Sequence, residues 1–131
     1  MALILDTHYA FALSLVNVKL RKREKDFFAT TSERLLVSAV SIWEIRLKWN
    51  ALHKSGARKG PASPAQVVAA LAAAPIDFLN LSPDHAATAS PVAIAHRDPF
   101  DELLLAQAYA ENAKLLTRDA KLRGHPWAQS I

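Results

Sequence analysis

Four acids stand where the local pattern of this chain changes from an apolar run to a helix start. Asp6 ends the run Leu3-Ile4-Leu5, and Glu44 closes Ser41-Ile42-Trp43-Glu44. Asp101 follows Asp98-Pro99-Phe100, and Asp119 comes two residues after Thr117. If such carboxylates converge at a partly desolvated edge they repel one another, and their pKa values rise unless a cation offsets the charge. Hard carboxylate oxygens suit Mg²⁺ or Mn²⁺. Magnesium keeps several of its waters, which leaves room for a phosphate and an activated hydroxide. The chemistry indicated is metal-assisted phosphotransfer or hydrolysis.

Whether they converge depends on the elements that carry them. Ala2–Leu5, Leu35–Val40, Asp77–Leu81 and Lys114–Thr117 read as short buried strands, and Trp127–Ile131 as a last short one. Helices are expected over residues 8–15, from Ser41 to about 53, over 63–74, from Ser82 to about 90, and from Asp98 to Tyr109. Ser41 and Glu44 have capping-box spacing, and Asp98, Pro99 and Asp101 form a strong helix start. Strands alternating with helices predict one α/β domain spanning residues 1–131, with a mostly parallel sheet of four to five strands. In such sheets sites lie beyond the C-terminal strand edges, where the next helices begin. All four acids fall there. Each also has a purely structural reading: Asp6, Asp98 and Asp119 as helix caps, Glu44 and Asp101 as acidic partners of capping boxes.

The composition sets wide bounds. The chain has 131 residues, 51% of them hydrophobic and 21% charged, the profile of one globular domain. The absence of cysteine excludes disulfides, thiolate metal sites and a cysteine nucleophile, and fits a cytoplasmic setting. A net charge of +4 favours a polyanionic partner. The N-terminal run is interrupted by Asp6 and His8 and lacks a basic leader, so we expect buried core rather than a signal peptide or membrane span.

Basic groups divide similarly between binding and structure. Lys19–Lys25 (KLRKREK) reads as a solvated helix face or as an RNA or partner contact. Arg58 and Lys59, in the basic loop 54–64, are candidates for an RNA backbone contact. Arg97 and Arg118 flank acids, and either hold phosphate or orient the carboxylates through ion pairs. His8, His96 and His125 are expected to pack or cap rather than ligate. Trp43 and Trp49 are expected to pack rather than stack on bases.

The segments LILDTHYAF, SIWEI, HRDPFDELLLAQA and LLTRD resemble, in order, the successive motifs of PIN-domain ribonucleases, most of all the VapC-type toxins of bacterial toxin–antitoxin pairs. The resemblance runs from Leu3 to about Leu122. It implies a three-layer α/β/α sandwich and endoribonuclease activity dependent on Mg²⁺ or Mn²⁺, in which metal-activated water hydrolyses RNA phosphodiester bonds. It places the family's four acids on Asp6, Glu44, Asp101 and Asp119, as metal-holding and catalytic groups. Thr7 and Thr117 match its small hydroxyl positions, with Asp98 beside the third acid. Glu102 departs from the pattern, since many members have arginine there. The resemblance also implies an RNA substrate, a cognate VapB-like antitoxin and a homodimer. The rival expectations are a PIN nuclease of RNA processing that is not a toxin, and a PIN-fold binding module without catalysis. A phosphatase or receiver domain would need paired acids near the first strand, which Asp6-Thr7-His8 does not supply.

Overall fold

β1 (Ala2–Leu5) forms the middle of the sheet because its side chains are apolar on both faces, with Leu3, Ile4 and Leu5 all fully buried. The structure is a computed structural model that describes residues 1–14, 18–58, 60–88 and 98–131. Around β1 lie β2 (Arg34–Ser38), β3 (Asp77–Leu79), β4 (Lys114–Leu116) and β5 (Ala128–Gln129), in the order β3-β2-β1-β4-β5 and all parallel. Ile4 pairs in register with Leu36 on one side and Leu115 on the other. The strand order reverses between β1 and β4. Such a switch point opens a crevice beyond the strand ends, here between Asp6 and Thr117.

Strand alternation sorts the apolar residues into two cores. Leu3, Leu5, Val37 and Leu116 pack on one face with Tyr9, Ile45, Val67 and Leu71. Ile4, Leu36 and Leu115 pack on the other with Leu104, Leu105, Ala108 and Leu122. The first face is covered by α1 (Thr7–Ser14), α2 (Lys22–Thr30, through Phe27 and Phe28) and α4 (Pro64–Ala72). The second face is covered by α6 (Pro99–Ala110) and the short 3₁₀ turn Ala120–Leu122. α3 (Ala39–Asn50) contributes Val40 to one core and Ile45 to the other. The result is the expected α/β/α sandwich.

Local expectations fare unevenly. Ser63, expected as the first residue of a helix over 63–74, is instead the cap of α4, accepting from Gln66 N at 3.3 Å while Gln66 Oε1 accepts from Ser63 N at 3.1 Å. β2, expected to reach Val40, stops at Ser38, whose hydroxyl accepts from Val40 N at 3.0 Å and starts α3. Ser41 is therefore not an N-cap, and the expected Ser41–Glu44 capping box does not exist. Both residues lie inside α3, and Ser41 is fully buried. The basic run from Lys19 becomes helical only at Lys22 and continues to Thr30, because Phe27 and Phe28 have a core to reach. α5 (Pro83–Ala87) begins at the expected Ser82 cap but is one turn long. The last residues of the expected helices 8–15 and 82–90 lie outside the described residues. Among the described residues no helix is long and apolar enough to cross a membrane.

Candidate active site

Asp6 leaves β1 with its backbone N–H still on the sheet ladder, donating to Leu116 O at 2.9 Å. Its two carboxylate oxygens are held separately. Oδ1 accepts from Thr7 N at 2.7 Å and Oδ2 from Thr117 Oγ1 at 2.6 Å. Thr117 Oγ1 in turn accepts the Asp119 N–H at 3.1 Å, so one hydroxyl links the ends of β1 and β4. Thr7 makes the matching link to α3, donating to Glu44 Oε1 at 2.9 Å with Ser41 Oγ 3.1 Å away. The other Glu44 oxygen, Oε2, meets Lys48 Nζ at 2.9 Å, one helical turn on. Both expected threonines therefore orient an expected acid.

Asp101 enters from α6. Asp98 caps that helix, its Oδ1 accepting from Phe100 N at 2.9 Å and Asp101 N at 3.3 Å. This fixes Asp98 as an outer cap and turns Asp101 inward, where it is only 8% exposed. Asp119 caps the 3₁₀ turn, Oδ1 accepting from Lys121 N at 2.9 Å. Asp98 and Asp119 thus fill the capping roles the sequence allowed, and Asp119 does so within the group of acids.

Electrostatics joins these carboxylates into one site. Burial, then the charges of Asp6, Asp98, Asp119 and Glu44, push the Asp101 carboxyl up to about 7. Burial also raises Asp6, assisted by Glu44 and Asp119 and opposed by the hydrogen bonds from Thr117 and Thr7. Carboxylates that resist ionisation in each other's company favour a cation, and an all-oxygen donor set matches a hard divalent ion. In their present rotamers, however, no three Asp, Glu or His side chains among the described residues stand in metal-holding geometry. The chemistry of the donors fits Mg²⁺ or Mn²⁺; Asp6, Glu44 and Asp119 are tied to threonines, Lys48 and backbone N–H groups instead.

Arg118 turns away from these acids. Its Nε and Nη2 donate to Glu24 Oε2 and Oε1 at 2.9 and 2.6 Å. Glu24 is 3% exposed and also accepts from Tyr9 Oη at 2.6 Å and Arg21 N at 2.8 Å. Burial alone would raise its pKa, but these donors and the Arg118 charge outweigh burial and hold it at about 2. Arg118 is ion-paired with Glu24, an acid the sequence reading missed, and not with the carboxylates it was expected to orient. The one available signal was Glu24 itself, the single acid within the basic run Lys19–Lys25.

The other candidates are peripheral. Arg58 stacks over Trp49, its guanidinium carbon 4.8 Å from the ring centroid, and donates to Trp49 O at 3.0 Å. Trp43 is half exposed and carries Arg46 over its ring. His125 Nδ1 accepts from Trp127 N at 3.1 Å, the expected capping role. His8 is exposed beside the acids; burial and then the charge of Arg118 lower its pKa, while Glu24 and Asp6 oppose them. Lys59, His96 and Arg97 lie outside the described residues.

Five parallel strands with acids gathered at the switch point narrow the possibilities, and a family comparison decides. The PIN domain profile matches residues 3–127. The chain belongs to the PIN domain family. Solved structures agree with it in fold. VapBC2 from Rickettsia felis, bound to a DNA fragment of its promoter, superposes with a TM-score of 0.64 at 16% identity, covering 100% of this chain and 98% of the other. A toxin–antitoxin complex from Klebsiella pneumoniae gives 0.62 at 19% identity, over 98% and 96% of the two chains. DNA-bound VapBC from Salmonella typhimurium gives 0.60 at 15%, over 100% and 97%. No curated protein matches this PIN chain in sequence.

Proposed function

We propose that this PIN domain is a divalent-metal-dependent endoribonuclease and the toxin of a toxin–antitoxin pair. The observation that carries the nuclease reading is the pair of threonines, Thr7 and Thr117, whose hydrogen bonds draw Asp6, Glu44 and Asp119 together at the strand ends, with the buried Asp101 close enough to feel their charge. Asp6, Glu44, Asp101 and Asp119 would hold Mg²⁺ or Mn²⁺, directly or through water. When bound, such a cation makes water a stronger nucleophile and offsets charge on the phosphoryl oxygens. The chain's own contribution is orientation. Thr117 aims Asp6, Thr7 aims Glu44, and the Asp98 cap turns Asp101 into the site.

The toxin reading is supported by the motif order in the sequence and by the VapBC and toxin–antitoxin complexes among the fold neighbours. With it we propose a VapB-like antitoxin as partner, a homodimeric state and a cytoplasmic location. A second reading, a PIN-fold binding module without turnover, draws on the absence of a ready metal-holding trio among the described residues. Purified protein free of antitoxin, incubated with total RNA in Mg²⁺, Mn²⁺ or EDTA, separates the two. Metal-dependent cuts leaving 5′-phosphate and 3′-hydroxyl ends, lost in Asp6→Asn, support the nuclease. Equal cutting by wild type and Asp6→Asn overturns the site assignment, and neither cutting nor metal binding favours the module.

A further inference from the structure

The clamp between Arg118 and Glu24 has a neighbour on its outer side. Arg21 and Arg123, far apart in sequence, line one narrow polar cleft together with Tyr9, Glu24, Thr117 and Arg118. Ser130 and Ile131 complete its wall. Thr117 belongs to both places: its hydroxyl holds Asp6 on one side, and it lines the cleft on the other. The basic groups nearest the acids are otherwise committed. Arg118 is bound to Glu24 and Lys48 to Glu44. Among the described residues neither the Arg21 nor the Arg123 guanidinium has a carboxylate within ion-pair distance, and both residues are exposed. Three arginine side chains and one acidic side chain, Glu24, line the cleft.

We infer that Arg21 and Arg123 form a phosphate subsite, which holds a backbone phosphodiester of single-stranded RNA beside the one positioned at Asp6. The cleft volume, about 30 Å³, admits one oxygen-sized group, so a phosphate would seat one non-bridging oxygen and leave its ester links outside. Guanidinium forks suit that geometry better than point charges. The fold fixes the backbone at both arginines. Arg21 N donates to Glu24 Oε1, and Arg123 N closes the 3₁₀ turn on Ala120 O at 3.2 Å. The subsite rests on the RNA reading above, and the buried Thr117, which bonds Asp6 and lines the cleft, links the arginine pair to the acids.

Two measurements test it. In the first, the Arg21→Ala, Arg123→Ala double variant is compared with wild type in cleaving total RNA, and in binding a random-sequence single-stranded RNA pool in the cleavage-deficient Asp6→Asn background. We expect KM and Kd to rise about tenfold, with kcat within about twofold, and the salt-dependence slope to fall by roughly 0.7 for the one lost phosphate contact. Arg34→Ala, which removes one charge at the N-terminal end of β2, should change neither. Unchanged KM and slope, or a fall in kcat alone, overturns the subsite. In the second, inorganic phosphate is titrated while the arginine Nε–H signals are followed by NMR. Shifts of Arg21 and Arg123 support the subsite even if no RNA is cut, an outcome that would discard the nuclease reading instead. RNA cleavage without those shifts discards the subsite alone.

Discussion

Thr117 Oγ1 donates to Asp6 Oδ2 at 2.6 Å while accepting from Asp119 N at 3.1 Å, so a single hydroxyl sets two of the four acids against each other across the β1–β4 junction. Replacing Thr117 by valine keeps the shape and removes both bonds. A hydrogen bond to a charged group contributes about 1.5–3 kcal/mol, so kcat should fall roughly ten- to hundredfold while KM for RNA stays near its starting value. Thr117→Ser should restore most of the rate. Steady-state cleavage assays on the three proteins decide it, and an unimpaired valine variant would remove Thr117 from the site.

Arg118 and Glu24 make a separate prediction about stability. Arg118→Ala leaves a buried carboxylate with only Tyr9 and the Arg21 N–H, and should cost about 3–5 kcal/mol in urea unfolding. The double replacement Glu24→Leu, Arg118→Met should recover a large part of that loss, because the uncompensated charge goes with it. A double variant as unstable as Arg118→Ala would show that the pair's value is not electrostatic.

Asp101 and Glu24, displaced in opposite directions, give the metal-free protein opposite pH responses. Between the ordinary carboxylate value of 3.8 and about 7, folded Asp101 holds a proton that the unfolded chain has released. Its contribution to stability is therefore complete at low pH and is lost as pH rises through about 7. Glu24, at about 2 in the fold against 4.5 unfolded, contributes stability that is present above 4.5 and lost as pH falls towards 2. Urea midpoints in EDTA should thus decline from about pH 5 to pH 8, and Asp101→Asn should flatten that decline. A wild-type profile that rises over the same range would contradict the burial of Asp101 among acids.

Gly60 predicts a packing effect away from the chemistry. A Cβ there would lie 2.8 Å from Trp49 Cα and 2.9 Å from Trp49 N, against helix backbone that cannot yield. Gly60→Ala should destabilise the protein by about 1–3 kcal/mol. Gly56→Ala meets nothing within 4 Å but must hold a φ of +87°, and should cost about 1 kcal/mol through strain alone. Thermal melts of both variants check the order.

The sheet and three of the four acid positions were legible because each rested on a local pattern. β1 and β4 are short apolar runs broken by a polar residue, and the Asp98-Pro99 start of α6 needs no tertiary partner to be read. Glu44 was identified on a wrong local argument. Ser38 supplies the α3 cap, and Glu44 reaches the site from the second turn through Thr7. Glu24 was hidden because its partners, Tyr9 and Arg118, lie 15 and 94 residues away. The same distance hides the buried chain from Ser38 through Gln107 to His85, which ties β2 to α6 and α5. Periodicity reports which face a residue takes, but not which charge awaits it.

The central claim is that Asp6, Glu44, Asp101 and Asp119 act together on a phosphodiester with a divalent cation. Its most direct test is RNA cleavage by protein stripped in EDTA and then supplied with increasing Mn²⁺ or Mg²⁺, for wild type and for Asp6→Asn, Glu44→Gln, Asp101→Asn and Asp119→Asn. The account predicts that metal restores cutting in the wild type, while the Asp6 and Asp101 variants stay below about 1% of its rate at any metal concentration, with folded circular-dichroism spectra. Full cleavage in EDTA, or wild-type rates in the Asp6 and Asp101 variants, would contradict it.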